Sequence, residues 1–437
     1  MESLGFVAVA VGVVLFALVS RRLESSAVTP PMVFAVFGLA IGGAGLGWLN
    51  VGDDMESGHG FVHGLAEITL ILVLFSDAAR IDLRALKADH NLPVRMLVIG
   101  MPLAIIAGTA VALLLPLGLS LWEAALLATL MAPTDAALGQ AVVSNPKVPA
   151  RIRQALNVES GLNDGIALPL VFLFACLAGA AHSVDDINWA TFAGAQLGFG
   201  PLAGIVIGGA GAWALDNAAL RGWISETYEG LAMLAIAFLS FAGAELVGGN
   251  GFIAAFVAGL VFGNFLRDRC RFVFEFAEAE GQLLVLLVFM VFGAALLPEA
   301  IGVLNSHGWV AVGFAVLALT VVRMVPVAIA LAGTRLRWQS VLFLGWFGPR
   351  GLASILFALF ILEQVTMGLG HMILSITVMT VAISIFAHGV TAAPLARLYG
   401  DYIAREKSRE EMMPVSEMPT RAQAAPQRPS THMPSAD

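Results

Sequence analysis

The chain has 437 residues, of which 59% are hydrophobic and only 12% charged. Soluble domains carry about 25% charged residues, so the composition excludes a soluble globular protein and implies a polytopic membrane protein set in a lipid bilayer. A formal net charge of −8, with no long basic run, excludes a nucleic-acid partner. The 46 glycines against 3 tyrosines suit helices that meet backbone to backbone. Cys176 and Cys270 lie in different surroundings and imply no disulfide framework.

A spanning helix needs about 20 mostly apolar residues. Thirteen segments qualify: 3–20, 28–45, 61–79, 96–116, 121–143, 155–180, 191–215, 227–247, 250–266, 279–297, 308–332, 339–362 and 369–396. The first has no basic residue before it and is followed by Arg21 and Arg22, so it is expected to be a retained helix rather than a cleaved leader. Of the 23 basic residues, 21 fall in alternate loops or after the last segment, and the intervening loops contain none. The positive-inside rule then predicts an external N-terminus and a cytoplasmic C-terminus. Residues 401–437 are polar, proline-rich and aperiodic, and are expected to form a disordered cytoplasmic tail.

Two segments carry a helix breaker beside a charge near mid-span. The fifth contains MAPTDAALG (131–139), with Pro133, Thr134 and Asp135; the twelfth contains WFGPRGLAS (346–354), with Pro349 and Arg350. Irregular backbone at that depth survives only when it is buried in protein or lines a cavity. Both occupy the fifth place of a six-helix unit, spans 1–6 and 8–13, and the odd offset between the units predicts two inverted repeats. In secondary transporters, paired breaks of this kind point to the midplane binding site. The competing reading is two unrelated proline kinks.

The sixth segment opens with ESGLND (159–164). At about 100° per residue, Glu159, Ser160, Asn163 and Asp164 fall on one side of the helix. Glu159 and Arg323 are natural partners, a carboxylate and a guanidinium each otherwise stranded at depth, and are expected to form a structural brace. Burial disfavours leaving both Asp135 and Asp164 bare, so a proton or a cation must neutralise at least one of them. Proton and cation then compete for one carboxylate. Ser160 and Thr134 supply the neutral oxygens that a hard monovalent cation takes. Asp135 could instead simply cap the broken helix. Glu67, in the outer half of the third span, is a weaker candidate for the site. Asp77 and Glu123 are read as interfacial, and His388 as either a pH-sensitive group or a hydrogen-bonded helix-end histidine. No phosphate loop, zinc motif or nucleophile elbow is present, and no cofactor is expected.

At this point the residues resemble a known family. APTDAALGQAVVSNPKVPARIRQALNVESGLNDGIALPLV (132–171) is similar to the paired fifth and sixth helices of the monovalent cation:proton antiporter superfamily, in its NhaP-type sodium/proton exchanger branch. Further resemblance lies in LVLFSDAARIDLRAL (72–86), NGFIAAFVAGLVFGN (250–264), GWFGPRGLASILFAL (345–359) and HGVTAAPLARLYG (388–400), so it covers residues 1–400. It implies that Asp164 binds both ion and proton, that Asn163 replaces the second aspartate of electrogenic relatives, and that Thr134 and Asp135 form the broken-helix pair. Ser160 is implied as a further ligand, and Glu159 with Arg323 as the bracing pair. It also implies a homodimer, with a dimerisation part (spans 1–3 and 8–10) and a moving core (spans 4–6 and 11–13). One departure is APTDA, where many relatives have a proline after the aspartate.

The expectation is therefore an all-α secondary transporter of the cell membrane, not an enzyme. It would exchange sodium or lithium for protons, electroneutrally and one for one, in pH and sodium homeostasis. A potassium/proton antiporter on the same fold is the nearer alternative. An intramembrane aspartyl protease is the distant one, and its glycine-x-glycine-aspartate motif is not matched by GLND.

Overall fold

The computed structural model describes residues 2–23, 26–49, 57–88, 90–182, 189–266, 271–304, 308–364, 370–406 and 408–415. Arg267, Arg269, Cys270, Lys407 and the segment 416–437, with Arg421 and Arg428, lie outside the described residues. Among those described there is no strand beyond one isolated bridge, between Gly42 and Leu49.

In chain order, α1 (Glu2–Leu23), α2 (Pro30–Ile41) and α3 (Ser57–Arg80) are followed by the short α4 (Leu83–Ala88). Next, α5 (Asn91–Arg95) passes through a π-turn at Met96–Gly100 into α6 (Met101–Leu114). The fifth apolar segment is divided into α7 (Leu121–Leu130) and α8 (Ala136–Val143). The long α9 (Ala150–His182) carries ESGLND, and α10 (Trp189–Leu220), α11 (Glu226–Leu246) and α12 (Gly251–Leu266) follow. A second π-turn, at Phe292–Leu296, joins α13 (Arg271–Val291) to α14 (Leu297–Leu304). Two divided crossings and a long helix complete the described helices: α15 (Gly308–Leu319) and α16 (Val321–Ala330), α17 (Trp338–Trp346) and α18 (Leu352–Gln364), then α19 (Gly370–Glu406). By length and composition, eight helical stretches among the described residues could cross a membrane, and α2, α7 and α12 are shorter apolar helices.

The glycines work by close approach. A Cβ at Gly259 or Gly263 of α12 would collide with the backbone of Phe75 or Ala79 in α3, and one at Gly38 or Gly293 with the backbone of Met290 or Ala35. Small residues thus bring α3 onto α12 and α2 onto the π-turn region, as helix packing in a membrane requires. Around the ion-pair cluster, α9 packs on α7 and α8, α16 on α17, and α19 on α18 and α8.

Three details differ from the sequence expectation. Glu123 is not solvated: it is buried and closes a capping box at the start of α7, its Oε2 accepting from the Ser120 N–H at 2.9 Å while its own N–H donates to the Ser120 hydroxyl. The Ser-x-x-Glu spacing of Ser120 and Glu123 is the signature of that box. Second, the eleventh segment is not one helix. Thr320, at φ −111° and ψ −91°, separates α15 from α16 one turn before Arg323.

Third, the expected disordered tail does not begin at Asp401: residues 401–406 and 408–415 are ordered. α19 runs on to Glu406 because Tyr399 and Ile403 continue its buried stripe, Tyr399 stacking on Phe343 with ring centroids 4.1 Å apart. Beyond the helix, the fully buried Glu411 carboxylate accepts from the Arg337 N–H at 2.9 Å, the Ser340 hydroxyl at 2.8 Å and the Ser408 hydroxyl. Arg151 of α9 donates to the Glu410 carbonyl at 2.5 Å, and Lys147 pairs with Asp401 at 2.9 Å. The loop before α9, the first turn of α9 and the start of α17 are therefore tied to the end of α19 and to the segment just after it.

Candidate functional site

Each break leaves backbone groups that must find partners, because a buried, unpaired N–H or carbonyl is costly. In the first, Arg350 Nη1 donates to the carbonyls of Ala132 at 2.6 Å and Pro133 at 2.9 Å. The Thr134 carbonyl accepts from the Ser160 hydroxyl at 2.6 Å, and the Asp135 N–H donates to the Pro349 carbonyl at 2.8 Å. In the second break, the Arg350 N–H donates to the Ser384 hydroxyl at 2.7 Å, and the Leu352 N–H to Asp135 Oδ2 at 2.8 Å. His388 Nε2 donates to the Trp346 carbonyl at 3.0 Å, leaving Nδ1 to accept from the Ser384 hydroxyl at 3.1 Å. Buried His388 is thus one more end-cap of a broken helix.

The arrangement places each charge where the broken helices need it. Arg350 meets the carbonyl end of α7; Asp135 meets the N–H end of α18 and, through Oδ1 at 3.3 Å to the Leu138 N–H, that of its own α8. Helix N-termini favour a carboxylate and C-termini a cation. The glycines beside Arg350 make room for this. A Cβ on Gly351 would collide with the Asp135 carboxylate, and one on Gly348 would stand 2.5 Å from Arg323 Nε.

On α9, Glu159, Ser160, Asn163 and Asp164 are all buried. Glu159 and Arg323 form a bidentate ion pair, with Nη1–Oε1 at 2.5 Å and Nη2–Oε2 at 2.7 Å, both side chains no more than 3% exposed. The Asn163 amide donates to the Thr134 hydroxyl at 2.6 Å. Ser160 and Asn163 therefore grip Thr134 by its carbonyl and its hydroxyl, fixing the first break against α9. Asp164 lines a cavity of about 10 Å³ with Asp77, Thr134, Asp135 and Ser354, close to the space of a single water. A second cavity, of about 20 Å³, lies between Asp135 and Ser160 and is lined also by Asn157 and Phe347.

The structure thus gathers Asp164, Asp135, Thr134, Ser160 and Asn163 at the crossing, braced by Glu159 and Arg323 and capped by Arg350. Half-buried Glu67 on α3 lines neither cavity. Asp77, read from sequence as interfacial, lines the Asp164 cavity, and Ser384 and Ser354 join the cluster without having been singled out. Asp77 stands three turns of α3 beyond Glu67, and no spacing rule relates either residue to α9. For Ser354, adjacency to the Pro349–Gly351 break was the available signal.

A fold of packed apolar helices around two crossed breaks, with buried carboxylates and guanidinium groups, defines a polytopic secondary transporter. The family model for the sodium/hydrogen exchanger transmembrane domain matches residues 7–398, and the chain belongs to that family of cation:proton antiporters, which are transporters rather than enzymes. The protease alternative therefore falls. Similar proteins include the K(+)/H(+) antiporter NhaP of Alkalimonas amylolytica, 24% identical over 95% of this chain and 70% of its own length. The Na(+)/H(+) antiporter 2 of Zygosaccharomyces rouxii is 27% identical over 79% of this chain, which spans 44% of that protein. Among solved structures, the sodium proton antiporter MjNhaP1 from Methanocaldococcus jannaschii at pH 8 superposes with a TM-score of 0.73. At 20% identity it covers 91% of this chain and 99% of its own, a likeness of fold.

Proposed function

We propose that this chain exchanges sodium or lithium for a proton, one for one, with Asp164 as the carboxylate that holds either. The observation that supports this most is the placement of Asp164, buried on α9 and facing a cavity one water wide where two broken helices cross. A carboxylate out of water is stable only when protonated or paired with a cation, so the two substrates exclude each other there. Thr134 and Ser160 add neutral oxygens. Asp135 contributes charge while capping α8 and α18, and Asn163 leaves α9 with one carboxylate at this turn.

In the proposed cycle, a cation entering from one side displaces the proton from Asp164. The core, α5–α9 with α15–α19, then shifts against a dimerisation part formed by α1–α3 and α11–α14, and the ion leaves on the other side. The basic loops would face the cytoplasm, the protein would be a homodimer of the cell membrane, and its role would be pH and sodium homeostasis. Potassium is the second reading, because similar proteins carry names of both K(+)/H(+) and Na(+)/H(+) antiporters.

The test is proteoliposome exchange with sodium, lithium and potassium supplied in turn. Asp164→Asn should abolish cation-dependent proton flux, and flux that persists would overturn the reading. With the membrane potential clamped by valinomycin, a one-for-one exchanger reaches the same equilibrium at every voltage.

A further inference from the structure

We infer that Ser354 is a cation-positioning and specificity-determining residue, its hydroxyl serving the ion held at Asp164. The inference rests on the proposed role of Asp164 and adds a ligand from the opposite broken helix. Ser354 is 1% exposed and lines the cavity of about 10 Å³ that Asp164, Asp77 and Thr134 also line. Its hydroxyl finds no hydrogen-bond partner among the described residues.

That behaviour is unlike other helical hydroxyls of this protein. Thr69, Thr129, Ser240, Thr377 and Thr380 each donate to the carbonyl four residues back, at 2.6 to 2.8 Å. Ser354 is the third residue of α18, and the residue four back is Arg350, which belongs to the break and not to the helix. No helical carbonyl stands one turn below it. The break that frees the α18 N-terminus for Asp135 also leaves this hydroxyl unspent, facing the carboxylates.

A buried hydroxyl without a partner costs stability, and in native structures such groups commonly serve a bound water or ion. Beside Asp164, a neutral hydroxyl oxygen is the ligand type that a hard monovalent cation selects, reached directly or through one retained water. Asp164 and Thr134 would hold the ion from α9 and the first break, and Ser354 from the second. Ion binding would then add a bridge between the two broken helices to the caps that already join them. In a cavity this small, the oxygen at position 354 also bears on which ionic radius fits.

The experiment uses the full chain purified and reconstituted, with Asp164→Asn, Ser354→Ala and Ser354→Thr. Two quantities are read: half-saturating cation concentration for sodium, lithium and potassium, and the cation-induced rise in unfolding temperature in detergent. Losing one net hydrogen-bond-sized contact, about 1 to 1.5 kcal/mol, corresponds to an increase of about 5- to 12-fold in half-saturation. For Ser354→Ala we expect that increase, an altered order of preference among the three ions, and cation-free thermal stability equal to or above wild type. Ser354→Thr, which keeps the oxygen, should restore sodium or lithium affinity and select against potassium. Wild-type half-saturation and ion order in Ser354→Ala would overturn the inference, as would an activity loss matched by lower cation-free stability, the mark of a packing role. If Asp164→Asn still exchanges, the underlying reading fails instead, and the two failures are distinct.

Discussion

Asp135 and Arg350 exchange caps across the crossing of the two broken helices. Asp135 accepts the Leu352 N–H at the start of α18, the helix that follows Arg350, and Arg350 donates to the Ala132 and Pro133 carbonyls of the break that precedes Asp135. Each charge completes the other's helix, so buried Arg350 and half-buried Asp135 become the partners of backbone groups that would otherwise lack them. The crossing is consequently one unit, and disturbing either charge should loosen both breaks.

Gly351→Ala tests that unit without touching a charge. The added methyl collides with the Asp135 carboxylate and should force it off the Leu352 N–H. Leaving such a group unsatisfied costs about 1–3 kcal/mol. Thermal unfolding in detergent should register the loss, and exchange should fall by roughly tenfold or more; a wild-type unfolding temperature would show that the cap is dispensable.

Removing one member of the Glu159–Arg323 pair should destabilise by about 3–5 kcal/mol, because the survivor is a buried charge without its partner. Glu159→Leu with Arg323→Met together should recover much of that loss. A double-mutant cycle on unfolding temperature gives the coupling; additive losses would mean that the bidentate geometry carries no stabilisation. Gly348→Ala should resemble the Arg323 variants, since its Cβ would stand 2.5 Å from Arg323 Nε.

Asn163→Asp should preserve the link to Thr134, with the Thr134 hydroxyl now donating to a carboxylate oxygen instead of accepting from the amide. It also puts a second carboxylate next to Asp164. Exchange by this variant is expected to respond to an imposed membrane potential, measured against valinomycin-clamped wild type. A voltage-independent equilibrium in the variant would show that the residue at 163 does not set the charge moved.

The Glu411 clasp should hold at neutral pH and open only in acid. Burial by itself would raise this carboxyl, but the Ser408 hydroxyl, the Arg337 N–H and the Ser340 hydroxyl outweigh it and hold it below its ordinary value. A group depressed on folding contributes stability that is complete above its unfolded pKa and lost as pH falls through the folded one. Hydrogen exchange over residues 408–415 should stay protected at pH 6 to 8 and rise below about pH 4. Glu411→Ala should release the segment at every pH, and protection unchanged in that variant would show that the carboxylate does not hold it.

The placement of the breaks was legible from Pro133 and Pro349, because proline removes a donor and cannot sit quietly in a helix interior. Glu159 and Arg323 could be paired from sequence because each was a charge at depth needing an opposite. The reciprocal capping by Asp135 and Arg350 was not legible. Their partners are backbone groups, which every residue carries, so residue identity cannot show which of them is left open. Asp77 and Ser354 escaped for a related reason: one is a polar residue near a span end and the other a small hydroxyl, and only the packing of α3 and α18 brings them to Asp164.

By itself, then, the sequence determined the medium and the class of transporter. Hydrophobic segment length is read directly by lipid, and a carboxylate at depth must bind something positive whatever surrounds it. Tertiary structure decided which carboxylates line the cavity, that one of them, Asp135, also caps two helices, and that residues 408–415 fold back through Glu411 onto the start of α17. Those outcomes depend on distances of a few ångströms between elements far apart in the chain, and no periodicity within one helix encodes them.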